Sequence, residues 1–488
     1  MVRHEHRAWG IGHRVTTRWG LCTRHFSIAG LGLRIGDRQN QLNSQKAPIR
    51  LCSGQVNSSH WLYARKARQA RKAREGSQCG EEIAFLAPKP WDRGYDIKIH
   101  EIWISPGGGP VFGFVLIFAI TLMHIYVFWR GASVPVIKRH LSRKLLIGAG
   151  LLLWATFFLG RIYGHHGTGT LAKSLELFGM NWMAVLFLLF VSLFAMDFVT
   201  GFGFLASRLA PSLRGIALVA GAVLSAVALF QGLRPPVVES YEVYLSGLAD
   251  EMDGTVLVAM SDLHIGNLLD ERCLEARVAQ VQAEQPDMVV LLGDLFEGHG
   301  KPQGELLPVL RRLSAPLGVW VVPGNHEFHH RSNGSTFLIE EAGFQLLRNR
   351  WVEVRPGLVM AGIDDLTAMR RSGQVGDPIS KALAGRPPGA TILLSHTPWQ
   401  ADKAAKAGVG LMLSGHTHGG QIWPFDYLVK RRYPLLEGRY EVDGMTVIVC
   451  RGTGTWGPRM RLWRPSEILR LKLHRGIRDQ TKKPTLWR

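Results

Sequence analysis

Four runs of uncharged, apolar residues decide most of what this 488-residue chain can become. Val111 to Trp129 contains no Asp, Glu, Lys or Arg, and Leu145 to Gly160, Leu177 to Ala195 and Gly215 to Leu233 repeat the pattern between short polar connections. An α-helix needs about 20 such residues to cross the ~30 Å hydrocarbon layer of a bilayer. Helices buried in a soluble bundle keep a polar face, and these runs keep none. The sequence therefore predicts an α-helical, multi-pass module of about four spans over residues 106–236, in a cell or plasma membrane. Arg130, Lys138, Arg139, Arg143 and Lys144 lie between the first and second runs, and Arg208 and Arg214 between the third and fourth. Short loops rich in Lys and Arg stay cytoplasmic, so the chain after Leu233 is expected on the extracytoplasmic side. His124 and Asp197 are ionisable groups within or beside the runs; both read as hydrogen-bonded or interfacial groups, not as a transport path.

Charge is unevenly spread. The first 100 residues hold 18 Lys and Arg against 7 Asp and Glu, more than half of the net charge of +20. Residues 1–105, with the basic run from Ala64 to Arg74, show no helical or strand period and are expected to be a disordered basic segment or a non-native stretch. They lack an early apolar core of the signal-peptide kind. Since the charge gathers there and no basic-aromatic motif accompanies it, nucleic acid is not the expected partner. Cys22, Cys52, Cys79, Cys273 and Cys450 share no repeated spacing. That supports neither a disulfide framework nor a four-cysteine zinc site, and leaves Cys273 and Cys450 as inert buried thiols.

Pro235-Pro236 ends the last apolar helix, and an acidic stretch with Glu239, Glu242, Asp250, Glu251 and Asp253 reads as a linker into a domain over residues 237–488. There, short β-branched runs alternate with helix-compatible segments: Thr255 to Met260, Asp287 to Leu292, Val319 to Val322, Leu358 to Gly362, Thr391 to Leu394, Leu411 to Leu413 and Thr446 to Val449. This is an α/β pattern. Such folds present chemical groups where strands end. Five runs end in potential metal ligands: Asp262 and His264, then Asp294 after Gly293, then Asn325 and His326 in Gly324-Asn325-His326-Glu327, then His396, then His416 and His418. Asp262 with His264, and His416 with His418, sit two apart, a spacing that puts side chains on one side of an extended segment. Carboxylates, an amide oxygen and several imidazoles suit borderline divalent metals such as Mn, Fe, Zn or Co.

In their order the five blocks resemble the signature of the calcineurin-like metallophosphoesterases: Asp-x-His, Gly-Asp, Gly-Asn-His-Glu/Asp, a lone His and Gly-His-x-His. The likeness covers about residues 254–473. Gly452-Thr453-Gly454-Thr455-Trp456-Gly457 resembles a turn-rich rim of the membrane-associated, YkuE-like branch, a cue to lineage and not to catalysis. The resemblance implies a β-sandwich flanked by helices, and two divalent cations: one held by Asp262, His264, Asp294 and His418, the other by Asp294, Asn325, His396 and His416. It implies hydrolysis of a phosphomonoester or phosphodiester by a hydroxide bridging the two metals. His326 would face the substrate and assist the leaving oxygen, with Glu327 orienting its neighbours. The membrane module favours a phospholipid or another lipid-linked phosphoester, because tethering raises the local concentration of such a substrate. A nuclease, a nucleotide phosphodiesterase and a non-catalytic scaffold are the competing readings. His329, His330, Asp364 and Asp365 are expected to be structural or exposed polar groups.

Overall fold

The computed structural model describes residues 110–164, 167, 169–266, 268–297, 303–328 and 334–476; the expected basic segment and His329 and His330 lie outside them. Four of the described helices are long and apolar enough to cross a membrane. They are α1 (Pro110–Gly131) and, after the short α2 (Pro135–His140), α3 (Arg143–Leu159), α4 (Thr170–Val199) and α5 (Ala210–Leu233). Phe118, Ile125, Leu152, Val219 and Phe230 all point outwards, as positions against lipid would. α4 begins well before the third apolar run, because Lys173 and Glu176 interrupt the hydropathy without interrupting the helix. Lys173 pairs with Asp270 of the following domain at 3.0 Å, and Glu176 is buried.

His124 and Asp197 both find partners inside the bundle. Asp197 is wholly buried and meets Arg130 Nε from α1 at 2.6 Å and Arg214 Nε from α5 at 2.7 Å, while the Tyr126 hydroxyl donates to it at 2.5 Å. Trp182 Nε1 donates to His124 Nε2 at 2.8 Å, and His124 Nδ1 lies 3.1 Å from the Ile120 carbonyl. Both groups are thus structural, as expected. Asp197 ties both basic connections to one end of the bundle, the end away from the following domain. Asp197→Ala would leave the buried Arg214 and the largely covered Arg130 without their carboxylate, a loss on the order of 3 kcal/mol. The expected result is a clearly lowered thermal midpoint in detergent; an unchanged midpoint would deny the cluster a structural role.

Beyond Pro235-Pro236 the structure corrects one expectation. The acidic "linker" begins with β1 (Val237–Leu245), a strand paired in parallel with the final strand, β12 (Glu467–Arg475). It reads as polar because it forms a sheet edge, where charged side chains such as Glu239 and Glu242 are tolerated and deter further pairing. The seven apolar runs become β2 (Val256–Met260), β3 (Met288–Leu291), β4 (Val319–Val321), β7 (Leu358–Gly362), β8 (Ala390–Leu394), β9 (Leu411–Ser414) and β11 (Met445–Val449). Short or half-exposed β5 (Gln345–Leu346), β6 (Arg350–Arg355) and β10 (Gly438–Val442) complete two six-stranded sheets. Their orders are β1-β12-β2-β3-β4-β5 and β10-β11-β9-β8-β7-β6.

The sheets face each other across Leu257, Ala259, Val290, Met360, Ile392 and Leu413, all essentially inaccessible to solvent. Alternate residues of the same strands, Val258 and Met260, pack outward with Leu274 and Val278 of α6 (Glu271–Ala283). Strands covered on both faces read as continuous apolar runs, which is why these were visible in the sequence. The β-sandwich flanked by helices is as expected. Parallel pairing of β2, β3 and β4, and of β7, β8 and β9, brings the carboxyl ends of the inner strands to the same edge.

Candidate metal centre

All five blocks converge at that edge. Asp262, His264 and His418 form one compact group of potential donor atoms, and Asp294, His396 and His416 a second. Within the first, His264 Nε2 lies 3.2 Å from His418 Nε2, and Asp262 Oδ1 lies 3.4 Å from His418 Nε2. Within the second, Asp294 Oδ2 lies 3.2 Å from His396 Nε2, and His396 Nε2 lies 3.2 Å from His416 Nδ1. Asp294 sits between them, with Oδ2 also 3.8 Å from His264 Nε2. His326 forms a further group with His264 and Asp294, closer to the ligand atoms than the sequence alone implied.

The backbone achieves this differently from the extended spacing read in the sequence. Asp262 (φ 53°), His264 (φ 47°), Asp294 (φ 52°), His416 (φ 71°) and His418 (φ 51°) all adopt left-handed conformations, which cost free energy in residues other than glycine. Asp262 and His264 still meet, but His416 and His418 separate, one turned to each group. Neighbouring glycines make room: a Cβ on Gly324 would overlap Asp294 Oδ1, and one on Gly415 would overlap Ser261 Oγ.

Hydrogen bonds fix each side chain. The Glu327 carboxylate accepts from the backbone N–H groups of Asp294 (2.9 Å), Leu295 (2.9 Å) and Gly324 (2.7 Å), so it holds the loops of Asp294 and Asn325 together, in keeping with an orienting role. Burial lifts its carboxyl to about 7, and the adjacent Asp294 charge pushes the same way. Ser261 donates its hydroxyl to Asp262 Oδ2 at 2.5 Å, and the His416 N–H donates to the same oxygen. His396 Nδ1 donates to the Leu292 carbonyl at 2.6 Å, which leaves Nε2 with its lone pair facing the cluster.

Three participants escaped the sequence reading. Glu297, in the loop that follows Asp294, lies 2.5 Å from His264 Nδ1 and so orients that ring. Burial works against a charge on His264, but Glu297 outweighs it and raises the imidazole to about 9. The Tyr433 hydroxyl lies 2.8 Å from His416 Nε2, which turns Nδ1 inward. Burial and the neighbouring His396 hold His416 down to about 3. The third is Arg461, fully buried, whose guanidinium donates to the carbonyls of Arg451 (2.9 Å), Gly454 (2.7 Å) and His418 (3.2 Å). An acidic residue three positions after Asp294 was a readable signal; Tyr433 and Arg461 had none. Asp364 pairs with Arg348 (2.7 Å), and Asp365 caps the helix that follows it, so both are structural as expected. Burial pushes both the Cys273 and Cys450 thiols up, in keeping with inert groups.

The residues fit a pair of cations on one further observation. Asp262 Oδ1 and Asn325 Oδ1 are buried yet receive no hydrogen bond. Orphaned buried oxygens of this kind are costly unless another group, such as a cation, meets them.

Residues 255–420 match the family model "Calcineurin-like phosphoesterase". An uncharacterized metallophosphoesterase of Helicobacter pylori is 36% identical over 248 residues, 50% of this chain and 65% of that protein. The transmembrane protein with metallophosphoesterase domain of Bos taurus is 33% identical, over 53% of this chain and 62% of that protein. The uncharacterized metallophosphoesterase YkuE of Bacillus subtilis is 30% identical, over 48% of this chain and 85% of that protein. The chain thus spans less than two thirds of the length of the first two.

Proposed function

Because the chain belongs to the calcineurin-like metallophosphoesterases, we propose that it is a membrane-anchored, metal-dependent hydrolase of a phosphomonoester or phosphodiester, whose catalytic domain occupies residues 237–488. In this reading Asp262, His264, Asp294 and His418 hold one divalent cation, and Asp294, Asn325, His396 and His416 hold a second. The observation that carries it is the pair of donor groups meeting at Asp294, with two buried oxygens left without a hydrogen-bond donor. Bound there, two cations would supply Lewis acidity to the phosphoryl group and acidify the attacking water.

The protein's own residues set the geometry. Glu297 and the Leu292 carbonyl fix the tautomers of His264 and His396, so both rings offer Nε2 to the centre. His326 is anchored by its own N–H, which donates to Asp294 Oδ1 at 2.8 Å, and its side chain keeps slight exposure. It stands where a leaving oxygen can be met. The membrane module favours a lipid-linked phosphoester, since it confines enzyme and substrate to one surface. Both basic connections share the end of the bundle opposite the domain, which supports an extracytoplasmic site by the positive-inside rule.

The test is metal content and turnover together. Full-length protein purified in detergent and loaded with Mn is expected to bind two metal ions per chain by elemental analysis and to hydrolyse p-nitrophenyl phosphate or its diester. Chelation is expected to remove both properties. A fully folded protein that binds no divalent metal, or one that binds two and hydrolyses neither ester, would overturn the reading.

A further inference from the structure

The metal centre is joined to the membrane helices by two segments that carry no metal ligand. One runs from Ile422 to Tyr433 and includes the helix Asp426–Arg432; the other is the glycine-rich rim continuing to Trp463. Ile422, Met460 and Leu462 share a buried cluster with Ala184 and Leu188 of α4 and Ala228 of α5. The Arg461 N–H donates to the Ala228 carbonyl at 2.8 Å, the Trp463 N–H to Gln231 Oε1 at 2.9 Å, and the Arg459 N–H to Asn181 Oδ1 at 2.8 Å. The Phe425 ring packs edge-on against Phe187 with centroids 6.1 Å apart.

These contacts fix a depth. The Asp197–Arg130–Arg214 cluster lies near the far end of the bundle. Phe187 lies ten positions before Asp197 and Ala228 fourteen after Arg214, so the contacts stand ~15 and ~21 Å along the helices from that cluster at ~1.5 Å per residue. The hydrocarbon layer is ~30 Å thick. Phe425, Ile422 and Met460 therefore lie within one such thickness of that cluster. Beside them Phe425, Tyr427 and Leu428 are 45, 62 and 61% exposed, an apolar face that meets α4 through the Phe425–Phe187 contact. The same helix ends in Lys430, Arg431 and Arg432, and then in Tyr433, whose hydroxyl meets His416. From Phe425 to Tyr433 is ~12 Å of helical rise, leading from hydrocarbon through a basic zone to the metal centre.

We propose that this rim is immersed in the bilayer and that the site draws its substrate sideways from the leaflet: a phospholipid-type phosphoester whose acyl chains stay against Phe425, Tyr427 and Leu428 while its phosphate reaches the metal centre. The apolar face matches acyl chains, and the three cations that follow match an anionic headgroup. The substrate half of the proposal rests on the hydrolase reading above; the depth half does not.

The experiment uses full-length protein in phosphatidylcholine nanodiscs. A fluorophore on Leu428→Cys, in a chain whose accessible native cysteines are serine, is expected to be quenched by lipids brominated along the acyl chain. The same label on Val375→Cys, wholly exposed on the domain, is expected to respond only to aqueous iodide. Equal behaviour of the two labels would overturn the immersion. In parallel, turnover of phosphatidic acid in the discs is compared with that of p-nitrophenyl phosphate, and Tyr427→Glu/Leu428→Glu is expected to lower the lipid-to-soluble ratio about tenfold. An unchanged ratio, or turnover of the soluble ester alone, would overturn lateral entry. Loss of turnover towards both esters in the unsubstituted protein would count against the hydrolase reading, while the quenching would still decide the depth.

Discussion

Asp294→Ala is expected to cut hydrolysis by about 10³-fold or more, a rise of ~4 kcal/mol in the barrier, and to exceed the loss from replacing any residue that serves a single metal. The reason is its position. Asp294 Oδ2 lies 3.2 Å from His396 and 3.8 Å from His264, which belong to different donor groups, so one carboxylate completes both. Its Oδ1 also accepts the His326 N–H, so removing the side chain frees the loop that carries Asn325 as well. His418→Ala provides the comparison, because His418 contacts only the first group. The measurements are turnover of an activated phosphoester and metal stoichiometry in each variant, with thermal unfolding as the control for folding. Substantial turnover in a metal-loaded, folded Asp294→Ala protein would remove the two-metal mechanism.

How much of this centre could be read in advance follows from what kind of interaction each residue makes. Asp262, His264, Asp294, Asn325, His396, His416 and His418 stood out because each follows a strand covered on both faces, and such strands announce themselves as apolar runs. The groups that orient them did not. Tyr433 reaches His416 from the end of a helix in a separate segment, and Arg461 braces the rim from a stretch with no regular pattern. Such contacts are set by tertiary packing and leave no periodic trace. Left-handed φ at five of the candidate ligand positions was equally hidden, since only glycine advertises that region in a sequence. β1 was missed for the opposite reason: its charged residues belong to an edge strand and imitate a linker. The rim of residues 452–457, read as a mark of lineage, carries a physical task. The Thr453 N–H donates to the Ser261 carbonyl at 2.7 Å and the Gly454 N–H to the Asp262 carbonyl at 3.0 Å, so the rim holds the first ligand loop against the segment that continues to α5.

His326→Ala is expected to slow an alkyl phosphoester by about 10²-fold while slowing a nitrophenyl ester far less, because help to the departing oxygen matters most for a poor leaving group. Its environment decides the form of that help. Burial lowers the imidazole pKa, and bound cations nearby would lower it further, which favours the neutral ring. A neutral ring can still donate a hydrogen bond to the developing oxyanion, which places the expected effect at the modest end of acid catalysis. The competing role is also visible in the structure, since His326 groups with His264 and Asp294 as a potential metal donor. Metal analysis separates the two. A leaving-group aid leaves two ions bound and makes the rate depend more steeply on leaving-group pKa. Loss of an ion, or equal slowing of every ester, would make His326 a ligand or a support for one. Its backbone N–H on Asp294 persists in the Ala variant, so a change in leaving-group dependence would come from the ring alone.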